Sequence, residues 1–260
     1  MKNFKVVRIV ILIFLVVIIF LAVKFYWDKK MTSPPPPAEE PDIKVTLLEG
    51  WRIEEMGNKL QEKLGIRSED FIKDAQEGYM FPDTYLFALD TKVSEIVQKL
   101  RENFDKKYSP TLQAKIKNLG LTSEQGVILA SIVEREARSD EARRMVASIL
   151  LKRFKIGMGL NADATIQYAL VIPGTSVPPS FGWWKRTITK EDKEIKSAYN
   201  TYLYHGFPPG PICNSSLSAF NAAASADPKT PYLYYYHDSK GNSYYAKTLE
   251  EHNENVARYP

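Results

Sequence analysis

From Ile9 to Val23 every residue is apolar, a run that a water-soluble surface cannot carry. With Val6 and Val7 before Arg8, and Phe25, Tyr26 and Trp27 after Lys24, it is long enough to cross a bilayer as one helix. Lys2, Lys5 and Arg8 precede it. A cleavable secretory signal has the same basic start and apolar middle but needs small residues at the cut, and between Phe20 and Trp27 only Ala22 is small. The expectation is a retained anchor over residues 1–30. Lys24, Lys29 and Lys30, partly offset by Asp28, place positive charge on the far side too. Orientation is therefore read from the roughly eight residues ahead of the span, which predict a cytoplasmic N-terminus in a single-pass protein of the cell (inner) membrane. Everything from about residue 28 onward is then extracytoplasmic.

Residues 31–41 contain four consecutive prolines, Pro34 to Pro37, and predict a stiff polyproline II spacer. The folded part comes next. Ile43, Val45 and Leu47 alternate as in a half-buried strand, and Ile53, Met56 and Leu60 recur with helical spacing. A second helix is expected over Ser68 to Gln76, capped by Ser68, and an extended stretch over Tyr79 to Phe87. This unit, residues 42–90, is small for independent stability and is expected to pack on the larger unit after it. That larger unit, residues 91–260, starts with a helix from Val93 to Tyr108 and includes another from about Glu141 to Phe154. Asn161 to Tyr168 reads either as a short strand and turn or as a helix capped by Asp163. Val171 to Lys190, rich in Pro, Gly, Trp and Ser, reads as a loop of a length often tied to function. Pro231 to His237 and Ser243 to Lys247 read as a tyrosine-rich β-hairpin, in which packing accounts for most of the rings. The fold class is α+β.

Between these elements lies ILASIVEREA, Ile128 to Ala137. Val127, Ile128, Leu129, Ala130, Ile132 and Val133 leave no polar face for two turns, so this helix is expected to be enclosed by protein. Thr122 opens it, with Gln125 as a capping-box partner. Glu134 sits at its far end. A carboxyl group delivered there into a poorly hydrated cleft would have its charged form disfavoured, which suits a general acid. The competing reading is an i,i+4 pair of Glu134 with Arg138, a solvated contact worth about 0.2–0.5 kcal/mol. Glu136, two positions on, points elsewhere and reads as a surface or supporting charge.

Composition narrows the chemistry. A single cysteine, Cys213, excludes an intramolecular disulfide and any multi-cysteine metal site. His205, His237 and His252 show no ligand spacing, so no metal and no cofactor is expected. The net charge of +4 is scattered, with no basic run interleaved with aromatics beyond the membrane flanks, which argues against nucleic acid as a partner.

The segments EGYMFPDTYLF (Glu77 to Phe87), ILASIVEREA, VASILLKRFKIGMGLNADATIQYAL (Val146 to Leu170), YNTYLYHGFPPGPICN (Tyr199 to Asn214) and KTPYLYYYHDSKGNSYYAKTLEEHN (Lys229 to Asn253) resemble, in this order, the YceG-like (MltG) family of endolytic murein transglycosylases. The resemblance implies a membrane-anchored lytic transglycosylase acting on peptidoglycan glycan strands, working beside peptidoglycan synthases. It implies a LysM-like module over residues 42–90, a catalytic domain over residues 91–260, and Glu134 as the catalytic residue. Ordinary glycosidases use two carboxylates. A lytic transglycosylase needs one, which protonates the oxygen between MurNAc and GlcNAc and then accepts the proton of the MurNAc 6-hydroxyl as that oxygen attacks C1. Polar groups expected to bind substrate and face the developing charge are Asn161, Asp163, Thr165, Tyr199, Asn200, Thr201, Tyr202 and Asn214. Where the family often has proline after the positions of Asp163 and Asn214, this chain has Ala164 and Ser215. Alternatives are a muramidase pairing Glu134 with Asp163, and a non-catalytic wall-binding scaffold.

Overall fold

A computed structural model describes residues 2–31 and 42–259. The chain divides into two units, Met1–Pro41 and Asp42–Pro260. In the first, α1 (Lys2–Met31) is one unbroken helix. Its segment Val7–Lys30 is long and apolar enough to cross a membrane, and the apolar side chains of that segment are exposed. Residues 32–41, where the proline spacer is expected, lie outside the described residues.

The second unit is a mixed α/β fold. β1 (Ile43–Thr46) is followed by α2 (Ile53–Leu64), α3 (Ser68–Asp74) and β2 (Thr84–Phe87). The strands pair antiparallel, with Val45 opposite Tyr85 and Thr46 opposite Thr84. The alternation in β1 turns Val45 into a small core with Leu47, Met56, Leu60, Phe71, Tyr85 and Phe87. α2 ends at Gly65, whose φ of +70° closes the last turn at little steric cost. α3 starts at its expected cap and ends at Asp74, short of the expected Gln76: Arg67 occupies the N-cap and Ser68 is already helical, its hydroxyl turned toward Gly57 on the packed face of α2.

α4 (Val93–Lys107) bridges two cores, sending Ile96 and Leu100 into the small one and Phe104 into the large one. α5 (Pro110–Asn118) opens on Ser109 as N-cap with Pro110 in the first helical position, where a missing N–H costs nothing. α6 (Ser123–Glu136) runs through the large core and packs on α7 (Asp140–Lys155). The capping box forms as expected, with Gln125 N donating to the Thr122 hydroxyl at 3.1 Å and Thr122 N to Gln125 Oε1 at 2.9 Å. Gly126 through Val133 are all buried. Gly126 is required there, because a Cβ would come within 2.5 Å of the Tyr108 hydroxyl oxygen. α8 (Asp163–Ala169) resolves the open reading in favour of a helix, but Ala162 is its N-cap and Asp163 its first residue, the Asp163 carboxylate being turned to Tyr202 and Lys193 instead of capping. A loop with one 3-10 turn, Asp192–Glu194, leads to α9 (Leu217–Ala224), which packs on both α6 and α7. The hairpin of β3 (Tyr234–His237) and β4 (Ser243–Ala246) and then α10 (Leu249–Arg258) complete the unit.

Candidate active site

The last turn of α6 carries Glu134 to a point where α7 and α9 converge. Its Oε1 accepts a hydrogen bond from Arg143 Nη2 of α7 at 2.6 Å. Its Oε2 accepts one from the backbone N of Ser216 at 2.9 Å and a second from the Ser216 hydroxyl. Ser216 is also the N-cap of α9, so the carboxylate lies at the positive end of that helix. The side chain is 5% exposed, as expected of a poorly hydrated position, but it carries a charged partner. Arg138, the i,i+4 partner of the competing reading, is exposed, and the cation on Glu134 comes from the next helix.

The turn between β1 and α2 covers the site from another side. Gly50 takes φ +76°, and its N donates to Asn214 O at 2.8 Å while Asn214 N donates to Trp51 O at 2.8 Å. A Cβ on Gly50 would lie 3.6 Å from Glu134 Cγ and 3.3 Å from Arg135 Nη1, so the turn rests directly on the end of α6. Asn214 is fully buried and spent on structure: its Oδ1 accepts from Met80 N at 2.9 Å, and its Nδ2 donates to Trp51 O at 3.1 Å and Glu77 Oε1 at 2.9 Å. Burial of the Glu77 carboxyl, reinforced by Glu54, raises its pKa to about 8 against the opposing pull of Arg52.

Most of the other predicted polar residues gather elsewhere, around Glu136 and the Tyr202 loop, while Tyr199 lies apart, beside Tyr168 and within electrostatic reach of Glu77 and Arg52. That carboxyl is half-buried and is the supporting one of the two readings given for it, accepting from Ala164 N at 3.1 Å and from the Tyr235 hydroxyl at 3.1 Å, and burial raises its pKa. Asp163 accepts from the Tyr202 hydroxyl at 2.6 Å and pairs with Lys193 at 3.2 Å. Asn161, Asp163 and Tyr202 line a cavity of about 620 Å³ together with Glu136 and Lys193. Beneath them the buried Thr165 and Thr201 hydroxyls bond each other at 2.9 Å. Asn200, fully buried, ties its loop by donating to Lys193 O and Ile195 O and accepting from Tyr202 N. Tyr199 packs on Tyr168, ring centroids 4.7 Å apart. Trp184 donates to Glu55 at 2.9 Å and lies under the Arg135 guanidinium, 3.8 Å from ring centroid to carbon, which makes it a seal over the core.

Sequence reasoning missed Arg143 and Ser216. Ser216 was within reach, since a serine before a small apolar run is a helix N-cap. Arg143 was not, because nothing in Arg143-Arg144 tells which of the two faces inward.

The family model described as "YceG-like family" matches residues 29–258. An endolytic murein transglycosylase of Bacillus subtilis (strain 168) is 35% identical over 189 residues, covering 72% of this chain and 49% of the relative. One from Streptococcus pneumoniae serotype 2 (strain D39) is 30% identical, covering 70% of this chain and 32% of the relative. The chain thus spans half or less of the length of these relatives. A 2.6 Å crystal structure of a yceG-like protein from Listeria monocytogenes superposes with a TM-score of 0.70 at 27% identity, covering 81% of this chain and 74% of that one.

Proposed function

Since the chain belongs to the YceG-like family, we propose that it is a membrane-anchored endolytic transglycosylase of peptidoglycan in which Glu134 is first general acid and then general base. The single observation that carries this reading is the setting of the Glu134 carboxylate between Arg143 and Ser216 at the end of a buried helix. As an acid, Glu134 gives its proton to the oxygen joining MurNAc to GlcNAc. The guanidinium and the Ser216 donors then face the carboxylate that this transfer creates, so they favour the step in which charge develops. The same carboxylate takes the proton of the MurNAc 6-hydroxyl as that oxygen bonds C1. The glycosidic bond breaks, a 1,6-anhydroMurNAc end forms and no water is consumed.

The LysM-like reading of residues 42–90 is supported by the strand, helix, helix, strand order of β1, α2, α3 and β2, and would bring glycan to the larger domain of residues 91–260. The apolar α1 supports an anchor that holds the N-terminus in the cytoplasm and the folded unit outside it, beside peptidoglycan synthases. Asn161, Asp163 and Tyr202, open to the Glu136 cavity, remain candidates for direct substrate contact. Thr165, Asn200, Thr201, Tyr199 and Asn214 are proposed to serve it by fixing the loops on which those groups stand. The muramidase alternative loses ground on geometry, because Asp163 is engaged with Tyr202 and Lys193 and acts electrostatically on Glu136.

Mass spectrometry of glycan strands digested by the purified chain tests the proposal. Anhydro ends that fall by about 10²-fold or more in Glu134→Gln are expected. Reducing ends would favour a hydrolase, and glycan binding without products in either protein would leave a scaffold.

A further inference from the structure

Glu49 is an exposed residue with the neighbours of a functional one. It immediately precedes Gly50, the residue pinned to Asn214 and seated over Glu134. The left-handed φ of Gly50 turns the chain there, so Glu49 directly precedes a turn that rests on Glu134, whose carboxylate is held by Arg143 and Ser216. It also lines a groove of about 480 Å³, together with Thr46, Leu47 and Leu48 at the end of β1 and Pro82, Asp83 and Thr84 at the start of β2. Leu48 is 51% exposed in that groove, an apolar face beside acceptors, which is the surface chemistry a saccharide ring takes. Burial and the charge of Glu134 raise the Glu49 pKa while Arg143 lowers it, so the three groups act on one another across the gap.

We propose that Glu49 is a second carboxylate of the active site, contributed by the small module, which contacts the glycan held in this groove and sets its negative charge against the positive charge developing at C1. This rests on the transglycosylase reading of Glu134. Glu49 forms no covalent bond and moves no proton. Both proton transfers stay with Glu134, and Glu49 must be ionised to act. The charged groups facing it are Glu134 from α6, Arg143 from α7 and Asp83 across the groove, with Arg135 behind the turn at Gly50 O.

The experiment uses the full chain in detergent and uncrosslinked murein glycan strands, with kcat and KM followed across pH. Glu49→Gln is expected to lower kcat at least about tenfold, with KM changed little, because it removes a charge felt mainly in the transition state. It should also abolish the acid limb of the wild-type profile, which the raised pKa of Glu49 places above that of a free glutamate. Glu49→Asp, which keeps the charge, should recover part of the lost rate; this holds even if both variants lose some stability. An unchanged kcat and pH profile in Glu49→Gln, with anhydro products from the wild type, would overturn the role of Glu49 alone. Reducing ends from the wild type would also overturn it, by making Glu49 the base for water. A wild type that releases no products overturns the enzyme reading and this proposal together.

Discussion

Glu134 and Arg143 form an ion pair with side chains only 5% and 11% exposed. Two charges withdrawn from water repay their desolvation only while both are present. Arg143→Met, which keeps most of the side-chain volume, should therefore cost roughly 3 kcal/mol, the penalty of an enclosed carboxylate left without its cation. Glu134→Gln on top of it should restore a large part of that loss, since no uncompensated charge then remains. Denaturant titrations of the two single variants and the double variant measure the coupling. Equal and additive losses would mean that the pair carries no interaction energy. At this scale the position of Glu134 on the helix was open to sequence reasoning, because the apolar run fixes where the helix stops being sheathed. Its partners were not, since they come from residues 9 and 82 positions further along the chain. Nothing local in the sequence encodes such distances.

At the scale of elements, the placement of α9 does two jobs through one residue. Ser216 caps α9 by accepting from Ala219 N at 3.1 Å, and the same residue holds Glu134 with its N–H and hydroxyl. Ser216→Gly keeps the backbone donor and a tolerable N-cap, and should cost only a few tenths of a kcal/mol in stability. Ser216→Ala loses the cap as well and should cost about 1 kcal/mol. Both remove the hydroxyl from the carboxylate, so both should lower the rate of the proposed transglycosylation by a similar factor while their melting temperatures differ. Rates that track stability would instead make Ser216 a cap alone. Elements with a plain apolar pattern could be read from the chain: β1 by alternation, α4 by helical spacing, α6 by its unbroken apolar run, and the β3–β4 hairpin by strand-forming tyrosines around Lys240, Gly241 and Asn242. α5, α9 and α10 are not legible in this way. α5 and α9 are short, and α10, although amphipathic, buries no residue, so none of the three presents a stripe that marks it as part of the core. Their caps at Ser109, Ser216 and Thr248 were the usable signal.

Across the folded unit as a whole, the small core around Val45 and Phe71 and the large core around α6 are tied by a polar link that holds the proposed active site between them. Asn214 binds Trp51 O, Met80 N and Glu77, and Glu77 in turn accepts from Ile53 N at 3.4 Å. Glu77 is the titratable member, its pKa raised from the ordinary 4.5 to about 8 by burial and by Glu54. The unfolded chain loses that proton near 4.5 and the folded chain near 8, so between these values the folded state binds more protons. Stability must then fall as pH rises through this window, by up to ~1.4 kcal/mol per pH unit, with the contribution complete below it and lost above it. Glu77→Gln keeps the size of the side chain and its acceptor for Asn214 but cannot ionise. Unfolding free energies measured from about pH 5 to pH 9 should decline less steeply in this variant than in the wild type, with the two curves parting most at the alkaline end. Parallel curves would show that the link tolerates an ionised Glu77, for which Arg52, fully buried and bonded to Glu54 at 3.2 Å, is the available counter-charge. Because the turn over Glu134 hangs from the same Asn214, loosening of this link at high pH should reach the rate before it reaches global unfolding. A wild-type rate that falls at alkaline pH less steeply in Glu77→Gln, while both proteins remain folded by circular dichroism, would separate local release of the turn from loss of the fold.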